Sequence, residues 1–480
     1  MIALDDKKVL VLGLSPSGIA ASRFLLEGGA EVFLLDGRNT AEVAKTAQEA
    51  GLPKTRLKLG ATTLPKQRFD FAVVAPEISL RDPLLLEAKE REIPVIGEIE
   101  LGYQQSLCLN IAVTGTNGKT TTAQIIERVL THCHRKTAIS DESSAPLTSL
   151  VSKTKELDFL TLEVSSFQLE HTTFFRPTIA VFLNTAQDHL DRYESMAEYI
   201  TTKARIFRNQ QPFDWAIVQS EALAQLRALN LPVPAKVITF SANNRRADIF
   251  LDRSLIVSRL EDWAGPLLDM AKCKISGPHN AESLMAALAV GRVLRLPLEQ
   301  TSEALKNYEL PPHRSELVAE VNGVKFINDS KSTNVGALHR ALLSIPEGRA
   351  GEPNVWLIAG GRDKRFDFHD IGPLLSRRVK GAFLIGEARE KIRAAWSLFT
   401  PCTLMDSLLK AVSEATKFAA AGDIILLSPA CSSYDQFRGY QHRGEVYRRA
   451  VAEWAHTTGS GGDSGDHQKT EQESESEVSR

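Results

Sequence analysis

Cysteine is scarce and scattered. Cys108, Cys133, Cys273, Cys402 and Cys431 are the only five among 480 residues. The number is odd and no C-x-x-C pair occurs, which argues for reduced cytosolic thiols and against a disulfide framework. His132-Cys133-His134 has no zinc-ligand spacing and reads as a helix end. No stretch approaches the ~20 apolar residues of a membrane span. No charge of one sign dominates: the formal net charge is −2, so there is no global basic field to hold nucleic acid. A secretory leader pattern is also lacking. In MIALDDKKVLVLGLSPSG, acid and base precede a short apolar run that reads as a first strand. No repeat of solenoid period appears. Residues 457–480 contain a single aliphatic residue, Val478, and cannot bury enough apolar surface to fold, so a disordered tail is expected there. These absences leave a cytoplasmic protein with no membrane span and no nucleic-acid partner.

What is present is a multi-domain α/β pattern. With 43% hydrophobic residues over this length, the chain can build two to four cores at ~100–200 residues each. Strand signals at Lys8–Leu12, Glu31–Leu35 and Phe69–Ala75 alternate with helical patterns, as in a parallel sheet. A second block opens at Asn110, with a helix whose face carries Ile125, Ile126, Val129 and Leu130, and strands at Phe159–Val164 and Ile179–Leu183. A third block has strands at Val324–Asn328, Val355–Ala359, Ala382–Ile385 and Ile424–Leu427. The expected division is 1–107, 108–312 and 313–456, followed by the tail 457–480. The first and third blocks are expected to be Rossmann-like and the second to be of P-loop type.

The strongest local signal is Thr114-Gly-Thr-Asn-Gly-Lys-Thr-Thr-Thr122, between a strand and a helix. Glycines let backbone N–H groups approach a phosphate, and the helix N-terminus adds partial positive charge. Lys119 suits terminal phosphates and the Thr120 hydroxyl suits Mg²⁺. The full G-x-x-x-x-G-K-[ST] pattern fails at Val113. The turn Gly13-Leu-Ser-Pro-Ser-Gly18 has Ser15 where a dinucleotide fingerprint wants glycine; it is as readily a plain strand–helix turn as a diphosphate contact. Asp36 is placed like a ribose-binding acid. Glu163 at a strand end is either an Mg²⁺ ligand or a solvated carboxylate. His189 is either a metal ligand or a structural hydrogen bonder, and Lys203 by composition alone is a surface lysine. Polar loops follow three strands of the third block, at 328–334, 360–364 and 428–433, and suggest a site at one sheet edge.

Eight motifs, in order, carry a resemblance: GTNGKTT, LEVSSFQLE, DHLDRY, GPHN, PHRSE, NDSKSTN, GGRDK and SPACSSYDQF. From about Lys8 to Trp454 the chain resembles the Mur ligase family of peptidoglycan synthesis. The resemblance implies three domains, for nucleotide sugar, ATP and amino acid, and a cytoplasmic, monomeric ATP-dependent carboxylate–amine ligase. SSFQLE and SPACSSYDQF are similar to members that add D-glutamate to UDP-N-acetylmuramoyl-L-alanine. The diamino-acid motif D-N-P-R does not occur. The implied ATP contacts are Gly115, Thr116, Asn117, Gly118, Lys119, Thr120 and Thr121, with Asn280, Arg314 and Asp329 on the adenosine side. Two Mg²⁺ ions are implied, held by Thr120, Glu163, His189 and a carbamylated Lys203. Lys119, Lys203 and His189 would be catalytic. Ser17, Asp36 and Arg38 would bind the UDP-sugar, and Thr333, Lys364, Ser433 and Tyr440 the D-glutamate. The chain departs from the family at Ala75-Pro76-Glu77, where S-P-G is common. It departs again at Ser140–Pro146, in place of a G-N-x-G loop, and at Gln187. Rival readings are another family member, a folylpolyglutamate synthetase, a nucleotide-gated binding module and a redox Rossmann enzyme.

Overall fold

The computed structural model describes residues 3–52, 56–364 and 366–459. Contacts divide the chain into two compact units, 1–311 with 364–366, and 312–363 with 367 onward. Three sheets occur among the described residues.

The first sheet holds β1 (Lys8–Leu12), β2 (Glu31–Asp36), β3 (Leu57–Leu59), β4 (Phe71–Val74) and β5 (Val95–Gly97) in the order β3-β2-β1-β4-β5. Every pairing is parallel. Val9 to Leu12 are buried on both faces, which is why this strand reads as a continuous apolar run and not as an alternating one. Helix Pro16–Glu27 follows β1, with Ser15 as its N-cap and Pro16 in its first turn, a combination that satisfies an orphan N–H and pre-sets φ.

The second sheet belongs to the same unit. Its strands are β6 (Leu109–Thr114), β7 (Thr137–Ser140), β8 (Phe159–Glu163), β9 (Ile179–Phe182), β10 (Trp215–Gln219), β11 (Lys236–Ser241), β12 (Ile249–Asp252), β13 (Leu255–Ser258) and β14 (Gly265–Asp269). Their order is β14-β13-β12-β11-β10-β9-β6-β8-β7. All pairs from β7 to β12 are parallel, and β13 and β14 add an antiparallel edge. Ile125, Ile126, Val129 and Leu130 on helix Lys119–His132 are buried in one core with helix Pro278–Val293. The chain turns from one side of β6 to the other between β8 and β9, so β6 is a topological switch point, where open α/β sheets bind ligands.

Buried acids join the first sheet's last helix, Glu98–Gln105, to the second sheet's loops. Glu100 accepts the backbone N–H groups of Thr173, Phe174 and Phe175, each at 3.0 Å. Glu98 accepts the Thr148 N–H and hydroxyl, both at 2.7 Å.

The second unit carries β15 (Glu316–Val321), β16 (Val324–Asn328), β17 (Val355–Gly360), β18 (Val379–Ile385), β19 (Cys402–Leu404) and β20 (Ile424–Leu427), ordered β15-β16-β20-β17-β18-β19. All pairs except β15–β16 are parallel. The final helix runs Tyr440–Gly459, so residues 457–459 are helical where the sequence predicts the start of a tail. The rest of that expectation, 460–480, lies outside the described residues. No helix among the described residues is long and apolar enough to cross a membrane.

Candidate active site

The loop after β6 is built for a close approach. Gly115 and Gly118 have φ of +151° and +88°, conformations that favour glycine. A Cβ on Gly115 would lie 2.9 Å from the Leu183 Cβ. The segment after β9 tethers the loop: Thr116 Oγ1 donates to Ala186 O at 3.2 Å and accepts from Ala186 N at 3.0 Å. Asn184 exchanges two 3.0 Å bonds with the Asn117 backbone. At the start of helix Lys119–His132, Thr121 is buried and Thr120 half-buried, while the next hydroxyl, Thr122, donates to Ser283.

Two lysines meet on one carbonyl. Lys119 Nζ donates to Gly115 O at 3.1 Å and to Thr116 O at 3.2 Å. Lys203 Nζ donates to the same Gly115 O at 3.0 Å and lies 4.6 Å from the Tyr199 ring centroid. Lys203 is only 1% exposed, which corrects the surface-lysine reading from composition. The inward face of helix Met196–Ala204 carries it there. Burial, then the Lys119 charge, drives its pKa well below the ordinary lysine value, because both disfavour a second ammonium.

β8 ends at Glu163 and β9 leads to Asp188 and His189, so both approach the loop from strands flanking β6. Burial holds the His189 imidazole neutral, with a pKa of about 3 despite Asp188. Its Nε2 is 3.7 Å from Asp188 Oδ2, and its ring packs edge-on to Phe167 at 4.6 Å. Lys364, which belongs with the first unit, lies 3.6 Å from Asp188 Oδ1.

The sequence reading assigned no role to Glu142. Its carboxylate accepts the Ser165 hydroxyl at 2.7 Å, and its carbonyl accepts the Ser17 hydroxyl at 2.9 Å. Burial raises its pKa, Ser165 and Lys119 oppose that, and Glu163 adds to it. In the first sheet, Asp36 spends both oxygens on protein donors, the Leu14 and Arg38 N–H groups at 2.8 Å and the Arg38 guanidinium. Asn280, near the start of its helix, donates to Ser276 O.

In the second unit, β16, β20 and β17 are adjacent and parallel, so loops 329–334, 428–433 and 361–363 leave the same edge. Asp329 is buried and accepts from Ser332, Ser428 and the Ser315 N–H. Arg314 Nε is buried without a hydrogen-bond partner. Ser433 is buried and Thr333 half-buried. Tyr440 packs its ring 4.9 Å from Lys331 Nζ. Arg443 was not singled out from sequence, yet it is fully buried and donates to Ser330 O, Ser330 Oγ and Cys431 O, tying two of these loops together.

The chain is similar to known proteins. Family models match over residues 7–97 (Mur ligase MurD-like, N-terminal domain), 113–291 (Mur ligase middle domain) and 313–431 (Mur ligase, glutamate ligase domain). The UDP-N-acetylmuramoylalanine–D-glutamate ligase of Acidobacterium capsulatum is 36% identical over 93% of this chain and 96% of its own. That of Geotalea uraniireducens is 37% identical over 93% and 98%. Among solved structures, the UDP-N-acetylmuramate–alanine ligase of Thermotoga maritima has a TM-score of 0.59 at 17% identity, covering 94% of this chain and 100% of its own. The MurF ligase of the same organism, solved with ADP, has a TM-score of 0.60 at 15% identity, covering 94% and 96%. The chain belongs to the Mur ligase family.

Proposed function

We propose that the chain joins D-glutamate to UDP-N-acetylmuramoyl-L-alanine, activating the carboxylate with ATP as an acyl phosphate. The observation that carries the ATP chemistry is the glycine loop at the switch strand β6, with Lys119 and Lys203 both on the Gly115 carbonyl. The choice of substrates rests on relatives that are over a third identical and bear that name.

A carboxylate is a poor electrophile, and phosphorylation gives it a good leaving group. The backbone of Gly115, Thr116, Asn117 and Gly118 cradles the phosphates, with Thr120 and Thr121 at the helix start. Lys119 offsets the charge that gathers as the phosphoryl group moves. Asn280, Arg314 and Asp329 are assigned to the adenosine side, and the unpartnered Arg314 Nε supports a polar ligand there. Mg²⁺ would be held by Thr120, Glu163, His189 and Lys203 as its carbamate, and two ions would supply further positive charge to the phosphate oxygens. The donors fit: His189 is neutral, and Mg²⁺ keeps waters and substrate phosphates, so it needs few protein ligands.

Ser17, Asp36 and Arg38 are assigned to the UDP-sugar, with Asp36 acting as a brace for the Arg38 guanidinium. Lys364 is assigned to a D-glutamate carboxylate, Thr333 and Ser433 to hydroxyl contacts, and Tyr440 to the pocket wall. The domains are 1–107, 108–312 and 313–456. In this reading the protein is a cytoplasmic monomer. The test is ADP release with UDP-N-acetylmuramoyl-L-alanine and a panel of amino acids. D-glutamate should exceed all others by ~10²-fold in specificity, the scale expected for an unpaired buried charge. Preference for another amino acid would overturn the substrate assignment.

A further inference from the structure

The first β–helix turn of a parallel sheet is where a nucleotide diphosphate is received. In this chain a carboxylate already lies there. Gly13 has φ +98°, and a Cβ built on it would lie 2.9 Å from Glu77 Oε1. The missing side chain of Gly13 therefore opens the space that the carboxylate uses. Gly18 closes the other side of the turn: a Cβ there would fall 2.0 Å from Gly13 O. The Ser15 hydroxyl, which also caps the helix through the Gly18 N–H at 3.5 Å, hydrogen-bonds the Glu77 carboxylate, as does the Glu77 N–H. Those two donors are given to Glu77, while the Leu14 N–H goes to Asp36 and the Gly18 N–H to Ser15.

The charges around it do not neutralise it. Arg38 Nη2 is 3.7 Å from Glu77 Oε1, but the same guanidinium forms a two-bonded pair with Asp36. From the second sheet's side, Arg192 donates to the carbonyls of Glu77 and Ile78. Its charge is matched by Glu170 at 2.5 Å. Two acids and one shared cation leave a local excess of negative charge. The Glu77 side chain stays 30% exposed, so an incoming ligand can reach and displace it.

We propose that the Glu77 carboxylate occupies the anion seat of the β1–helix turn and competes with the diphosphate of the uridine nucleotide, making Glu77 a determinant of affinity for the charged part of that substrate. This rests on the nucleotide-sugar reading above. Burial raises the Glu77 pKa, with Ser15 and Arg38 opposing, as expected for an acid whose seat is only partly compensated.

The test compares binding of UDP and of uridine to the full chain by calorimetry, with a saturating non-hydrolysable ATP analogue blocking the other nucleotide loop. Glu77→Gln keeps shape and removes charge; Glu77→Asp keeps charge and controls for folding. Glu77→Gln should bind UDP ~10-fold more tightly, the scale of one removed like-charge contact near a surface, with uridine affinity unchanged. Glu77→Asp should stay near wild type for both. Parallel shifts in UDP and uridine, or no tightening of UDP, would overturn the proposal. Failure of wild type and variants to bind either ligand at millimolar concentration would instead remove the nucleotide-sugar reading, and this proposal with it.

Discussion

Glu98→Gln should stabilise the protein above neutral pH and scarcely alter it in mild acid. Glu98 opens helix Glu98–Gln105 and is 1% exposed. Its Oε1 accepts both Thr148 donors, while its Oε2 is buried without a partner. Burial raises its pKa from 4.5 to about 7; the Thr148 bonds oppose this and the Glu142 charge adds to it. The rise of about 2.5, at about 1.36 kcal/mol each, corresponds to roughly 3 kcal/mol. The sign follows from which state binds the proton. Below about pH 4.5 both states are protonated and the contribution is complete. Between about 4.5 and 7 the unfolded chain ionises while the folded one holds its proton, so stability falls as pH rises. Above about 7 the contribution is gone. The glutamine side chain keeps the acceptor for Thr148 and cannot ionise. Urea unfolding should therefore place the variant within about 1 kcal/mol of wild type at pH 5 and roughly 3 kcal/mol above it at pH 8.5. The same pH slope in both proteins, or a less stable variant at pH 8.5, would refute the buried-acid argument.

Lys119→Ala should lower turnover by ~10²-fold or more, the cost of losing one transition-state electrostatic donor, measured as steady-state ADP release. Lys203→Ala should abolish most activity, and a small carboxylate in the buffer should restore part of it by occupying the place of the proposed carbamate. Lys364→Ala should raise the KM for D-glutamate far more than that for ATP, read from initial rates with each substrate varied.

Strands buried on both faces were legible because their apolar runs are continuous: β1 and β20 match the runs Lys8–Leu12 and Ile424–Leu427, while β16 matches Val324–Asn328 with one exposed position, Lys325. Short edge strands were not. Leu57–Leu59 and Cys402–Leu404 are three residues each and bury none of them fully, so no hydrophobic period exists to read. The antiparallel edge β12–β14 was missed for a related reason, since its pattern lies in strands of four or five residues. The glycine turn after β6 was legible because its backbone geometry demands particular residue types. Lys203 was legible only by resemblance: nothing in TTKARIF marks a lysine that the fold will bury. Arg443 was missed for the same reason, because a lone arginine in a polar helix looks solvated. Glu98 and Glu100 resemble helix-start acids placed for the dipole, and only the loops that fold over them show that they are interior acceptors.

The burial of Lys203 also explains how two lysines can share one carbonyl. A pair of ammonium groups on Gly115 O would repel each other in a poorly solvated place, and one must lose its proton. Lys203 is the deeper, and its pKa is the one driven down; Lys119 keeps a second acceptor in Thr116 O and a half-buried position. A neutral amine has a free electron pair, which is what attack on carbon dioxide needs and what a solvated, protonated lysine lacks. Carbamylation, with one amine proton released to solvent, would then change Lys203 from a neutral amine to an anion attracted to Lys119. In the proposed reading, the repulsion between the two lysines would be relieved by the modification itself. The same burial that disfavours the ammonium would favour formation of the proposed carbamate.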